Sequence, residues 1–120
     1  MFTNISETAS SEINGSHLQG HVNISYNELV EVFGQPCDGD GYKVQKEWVI
    51  QFDDGTIATI YDWKWSEEYN GDGHGTHYTQ VPEWNIGGFE HNAVIMINRA
   101  IQSLGAIEGE VITKQLEVLP

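Results

Sequence analysis

The stretch Glu47–Trp65, EWVIQFDDGTIATIYDWKW, consists of two alternating runs meeting at Asp54-Gly55. Trp48, Ile50 and Phe52 recur at every second position of the first run, and Ile57, Thr59, Tyr61, Trp63 and Trp65 do the same in the second. Successive side chains of a strand point to opposite faces, so this period of two predicts strands with a covered face. Aspartate-glycine between two such runs tolerates the positive φ of a tight turn and predicts a hairpin. Ala58, Ile60, Asp62 and Lys64 share the opposite face of the second strand, which begins apolar and ends charged. Cover is therefore expected at one end of that face only.

Upstream, Ser25 and Glu28 have the S-x-x-E spacing of a capping box, in which each side chain satisfies the other's exposed backbone N–H. A helix is predicted from Tyr26 to about Phe33, with Leu29, Val32 and Phe33 on its apolar face. Gly34 ends it and Pro36 forbids its continuation. Before it, Leu18, Val22 and Ile24 are roughly in phase for a short strand that Gly20 weakens. Residues 1–16, rich in Ser, Thr, Asn and Glu without a period, read as a disordered arm, leaving 17–120 as one domain.

Downstream, Ser66–Gln80 is a polar, glycine-rich loop, and Val81–Gly88 reads as a third strand. Pro82 places that strand at a sheet edge or stands at the strand's first residues, and the edge placement leaves a homodimer open. Val94, Ile97, Ile101 and Leu104 come next at helical spacing, with Gly105 as the stop. Glu110–Leu119 offers an imperfect last strand or a tail. Strands flanked by helices in this order predict an α+β fold: a small antiparallel sheet of three to five strands with two helices packed on one face.

Eighteen acidic residues against five basic ones set a net charge of −13. Such a field repels phosphates, so direct nucleic-acid binding is not expected, and it attracts basic protein surfaces. No run approaches the ~20 apolar residues that cross a bilayer, and the N-terminal residues lack a secretory pattern, so no membrane association is expected. One cysteine, Cys37, excludes an internal disulfide framework, and no cationic neighbour in the sequence marks it as a nucleophile.

The chain has no nucleophile elbow, Walker loop, dinucleotide fingerprint or H-E-x-x-H pair, so no enzymatic activity and no cofactor are expected. Asp38-Gly-Asp-Gly41 lacks the later ligands of a calcium loop. Glu67, Glu68, Asp72, His74 and His77 have the chemistry to hold a divalent ion, but their spacing is not diagnostic, and a solvated loop without metal is the plainer reading. Aromatic residues are dense between Trp48 and Trp84. Trp48 and Trp84 suit a core, whereas Trp63, Trp65 and Tyr69 sit where the strand turns polar and suit an interface.

The words FGQP, DGDGYKVQKEW, FDDGTIATIYDWK and WNIGG, spanning roughly residues 18–88, resemble a family of small bacteriophage and prophage proteins. That pattern usually carries histidine where this chain has Asn85, so no role for an imidazole transfers. The resemblance implies a phage context, the host cytoplasm and no established biochemistry. Together with the charge, it leads to the expectation of a non-enzymatic, anti-CRISPR-like inhibitor whose carboxylates mimic nucleic-acid phosphates in the basic groove of a host defence protein. The expected contact residues are Asp53, Asp54, Asp62, Trp63, Trp65, Glu67, Glu68, Tyr69 and Asp72, with Glu28 and Glu31 as further acids. The alternative is a sponge that sequesters a nucleotide signal, using Lys43, Lys46 or Lys64 for phosphate and Trp63, Trp65 or Tyr69 for base stacking. An accessory structural phage protein is the third.

Overall fold

The computed structural model describes residues 1–8, 13, 15–71, 73–107 and 116–118. The central hairpin forms, with β4 (Lys46–Phe52) and β5 (Ile57–Tyr61) antiparallel, but its second strand has the opposite phase: Ala58 and Ile60, not Ile57, Thr59 and Tyr61, join Trp48 and Ile50 in the core, Trp48 standing opposite Ile60 and Ile50 opposite Ala58. Gly55 takes a φ of +91° in the turn, and the Asp54 carboxylate accepts the Thr56 N–H at 2.9 Å. β6 (Glu83–Gly88) continues the sheet beyond β5, and β2 (His17–Asn23) lies beyond β6.

The sheet is α+β and antiparallel, as expected, but larger than three to five strands. Among the described residues seven strands belong to it: from one edge β1 (Phe2–Asn4), β4, β5, β6, β2 and β7 (Leu116–Val118), with β3 (Cys37–Asp38) pairing with β4. The additional strands are short, and each is held by a longer neighbour. β1 (Phe2–Asn4) lies within the stretch expected to be a disordered arm; it pairs with β4 and places Phe2 between Phe33 and Phe52. Two apolar contacts and a ladder thus order residues whose composition alone argues for disorder. β7 (Leu116–Val118) pairs with β2 and lies within the last expected strand; the remainder of Glu110–Leu119 is outside the described residues.

β6 is an interior strand, and of the two placements that Pro82 allows, the start of the strand is the one observed. Pro82 stands just ahead of its first ladder residue, and its carbonyl accepts the Ile24 N–H, so the missing proline donor costs the sheet nothing. The edge that left a homodimer open is therefore absent at Pro82. The phase of β2 also departs from expectation. A bulge between Leu18 and Gly20 shifts the register, so Leu18 sits opposite Gly87, 42% exposed, instead of joining Val22 and Ile24 in the core.

α1 (Tyr26–Phe33) begins with the full capping box: the Ser25 hydroxyl accepts the Glu28 N–H, and the Glu28 carboxylate accepts the Ser25 N–H. The Asn4 amide donates to the carbonyls of Phe33 and Gln35, tying the far end of α1 to β1. α3 (Asn92–Ile107) runs past Gly105, where a stop was expected. Leu29, Val32 and Phe33 of α1 join Ala93, Val94, Ile97, Ala100 and Ile101 of α3 in one buried cluster. The sheet contributes Trp48, Ile50 and Phe52 from β4, Ala58 and Ile60 from β5, and Trp84 and Ile86 from β6. Every second residue of three neighbouring strands thus faces the two long helices. Trp48 donates its indole N–H to the Gly34 carbonyl at 2.8 Å, while the buried Trp84 N–H has no partner among the described residues.

With both long helices on one face, the opposite sheet face is left to the residues between. Neighbours across the strands there include Glu47, Tyr61, Asn85 and His21 in one row. A single helical turn, α2 (Glu67–Asn70), follows β5 in the chain. No helix among the described residues is long and apolar enough to cross a membrane.

Candidate functional site: the Trp63 corner

β5 stops at Tyr61, short of Trp63 and Trp65 in the expected alternation, because Asp62 is engaged elsewhere. Asp62 continues the phase of Ala58 and Ile60 and is fully buried. Its carboxylate accepts the backbone N–H of Gln45 and of Lys46 at 2.8 and 2.9 Å and the Gln45 side-chain amide at 2.8 Å. A carboxylate with three donors in fixed geometry is a clamp between chain segments, and burial removes it from any partner-binding surface. That overturns its assignment as a contact residue. Ala58, Ile60 and Asp62 of this face are thus covered, with the acid satisfied internally, while Lys64 at its charged end is exposed.

Beyond the clamp the chain reverses at Lys64, the one non-glycine residue with positive φ among the described residues, at +63°. This conformation costs an L-residue roughly 1–2 kcal/mol and persists only where its surroundings hold it. Here the Lys64 N–H donates to the Lys43 carbonyl at 2.7 Å, and the Asn70 amide donates to the Lys64 carbonyl at 2.9 Å. Ser66 caps α2 through the Tyr69 N–H and also donates its hydroxyl to the Tyr42 carbonyl. Thr76 closes the loop through a 2.6 Å bond from its N–H to the Trp65 carbonyl. Gly75 permits this closure, since a Cβ there would lie 2.1 Å from the Glu67 nitrogen. The loop from Ser66 to Gln80 is consequently a folded strap, ending in a 3-10 turn at Tyr78–Gln80.

The strap and the turn at 39–46 together present a corner of aromatic and cationic groups. Trp63 is 42% exposed. The Lys43 ammonium lies 5.6 Å from its ring centroid and the Lys64 ammonium 5.5 Å, both within cation–π range. Lys64 also lies 5.4 Å from the Tyr69 ring, which packs 5.1 Å from the exposed Tyr42 ring. Tyr61 meets Trp63 edge to face at 6.3 Å. Asp40 shapes the turn that carries Lys43: its carboxylate accepts the N–H groups of Tyr42, Lys43 and Val44, which hold it below the usual aspartate range.

Two open depressions flank this corner. One, of about 510 Å³, is bounded by Trp63, Lys64, Trp65, His74, Glu83 and Asn85 among others. The second, of about 240 Å³, is walled by Leu18, Tyr61, Trp63 and Asn85. Gly87 helps keep the face beside Tyr61 low, because a Cβ there would meet the Thr59 hydroxyl at 2.5 Å and the Tyr61 ring at 3.3 Å. Leu18 and Asn85 were missed as site residues. The bulge in β2 and the pairing of β5 with β6 bring them to Trp63, and neither has a local signal.

The remaining expected contacts do not form one surface. Asp53 and Asp54 are exposed at the β4–β5 turn, the opposite end of β5 from Trp63. Five strand residues separate the two ends by about 16 Å. Glu67 and Glu68 are exposed on α2, whereas Trp65 is half-buried against the core. Asp72 lies outside the described residues. Glu28 is occupied by the capping box, and Glu31 is exposed on α1.

Lys46 is drawn away from the corner. Its ammonium contacts the Asp38 carboxylate at 2.5 Å and lies 4.8 Å from the Tyr78 ring, with its pKa raised by that carboxylate hydrogen bond. It lines a separate groove of about 580 Å³ with Asp38, Glu67, Glu68, His77 and Tyr78. Among the described residues no three His, Cys, Asp or Glu side chains converge as metal ligands. The Cys37 thiol points to the Glu47 carbonyl at 3.3 Å and is pushed up in pKa by burial and by the Glu47 charge, opposite to the activation of a nucleophile.

Neither protein-family models nor known proteins of assigned identity match this chain.

Proposed function

We propose that this protein is a non-enzymatic binding module that captures a planar anionic ligand of the nucleotide class at the Trp63 corner. The observation that carries the proposal is the convergence of two ammonium groups on one exposed tryptophan. Only five Lys and Arg residues occur in a chain of net charge −13. Two of them flank the same ring. An exposed indole offers a face for base stacking, and mobile ammoniums beside it supply the counter-charge for a phosphate. The larger depression falls within the ~300–1,000 Å³ typical of ligand sites. In the phage context implied by the sequence resemblance, such a module acts as a sponge for a host defence signal.

The test is thermal denaturation with a panel of nucleotides. At about a hundred times the dissociation constant a bound ligand stabilises by about 2.7 kcal/mol, a shift on the order of 10 °C. Trp63→Ala, or Lys43→Ala with Lys64→Ala, should abolish the shift. A panel that shifts nothing, or a shift that survives both variants, refutes the proposal.

The second reading is the inhibitor that occupies a basic groove of a host nucleic-acid-binding protein. One observation favours it: Glu67 and Glu68 stand exposed side by side on α2, beside the groove that also holds Asp38. The dispersal of Asp53, Asp54 and buried Asp62 counts against a phosphate-like row. This reading requires binding to a basic target that weakens steeply with salt and is lost in Glu67→Lys with Glu68→Lys. Salt-independent binding would exclude it.

A further inference from the structure

Within the corner, Trp63 and Asn85 are the two residues that border both depressions. Asn85 sits on β6 with Tyr61 opposite it on β5 and His21 opposite it on β2, so its backbone is held from both sides by ladder pairing. Its side chain is half-buried, and among the described residues its carboxamide makes no hydrogen bond. A carboxamide on a rigid strand carries an adjacent donor and acceptor, the pattern that pairs bidentately with the edge of a nucleobase. The tryptophan supplies area without reading identity, since every base has a π-face.

We infer that Asn85 is the specificity-determining residue of this site, reading the donor–acceptor edge of a ring stacked on Trp63. The inference rests on the binding function proposed above and deepens it. Lysine and tryptophan alone would accept any flat anion. Asn85 restricts the ligand to rings with paired hydrogen-bonding groups, that is, to nucleobases over plain aromatic phosphates.

Titration calorimetry of the full chain with the four ribonucleoside 5′-monophosphates and with 1-naphthyl phosphate tests this. The wild-type protein should favour at least one nucleotide over naphthyl phosphate by about tenfold, the worth of one or two half-exposed hydrogen bonds. Asn85→Ala should erase that preference by weakening the nucleotide, with naphthyl phosphate unchanged. Asn85→Leu, which keeps the size and charge and loses both donor and acceptor, should erase it too, and an unaltered melting temperature would show that both variants fold. A preference that survives Asn85→Ala, or equal weakening of both probes, overturns the assignment. Equal binding of both probes by the wild type overturns it while leaving the site itself standing. Binding of neither probe removes the proposed function and this inference together.

Discussion

Trp48 and Trp84 on the helix-covered face, and Trp63 at the end of β5, show two uses of one side chain. The first pair is fully buried, meets edge to face at 5.3 Å, and packs at a tilt against the Tyr26 ring of α1. The other is 42% exposed, with lysines in place of aliphatic neighbours. Aromatic area stabilises the fold in one place and remains available in the other. What separates them is the face each takes: Trp48 and Trp84 lie in the helix-covered phase of β4 and β6, whereas Trp63 follows Tyr61 past the Asp62 clamp and borders the open face beside Leu18 and Asn85.

That contrast breaks most readily at the core. Trp84→Ala should cost about 3–5 kcal/mol in urea denaturation, since a fully buried indole leaves a cavity that its neighbours fill only partly. A loss under about 1 kcal/mol would mean that the two regions do not differ as described. Next comes the clamp. Asp62→Ala strands the N–H groups of Gln45 and Lys46, for a loss of about 2 kcal/mol, and amide hydrogen exchange should quicken at those two residues before it does in the rest of β4.

A smaller effect belongs to Glu47, beside Tyr61 on the open sheet face. Burial, with the Asp40 charge adding to it, pushes its carboxyl above the ordinary 4.5. An acid with a raised folded pKa holds its proton more tightly in the folded chain. Its contribution to stability is therefore complete below 4.5 and lost as pH rises through the folded value. Glu47→Gln should thus be the more stable protein at pH 7, by less than about 1 kcal/mol because the group is half-solvated, and the advantage should vanish near pH 3. Equal pH dependence of the two proteins would remove this account. The smallest change in stability is expected at Trp63→Ala, within about 0.5 kcal/mol, although the same variant should abolish ligand binding. A large loss of stability there would mark Trp63 as a core residue and sharpen the boundary between the regions.

Local chemistry was legible in the chain wherever a single segment carried the whole signal. The Asp54-Gly55 hairpin, the Ser25–Glu28 box and the 94–97–101 stripe of α3 each need only their own neighbours, and each folds as its pattern requires. The aromatic and lysine residues of the corner were likewise visible as residue types. Their grouping was not, because Lys43, Trp63 and Tyr69 meet only through carbonyls and amides of three separate turns.

Sequence by itself determined the α+β class, the two long helices and the hairpin, since hydrophobic period and capping act within a dozen residues. Only the tertiary structure decided that Asp62 is buried, that Leu18 and Asn85 border Trp63, that Pro82 precedes an interior strand, and that Phe2–Asn4 forms a strand. The physical reason is common to all four. Each depends on which strand lies alongside which, and the hydrogen bonds that settle this join residues far apart in the chain and leave no periodic trace within either partner.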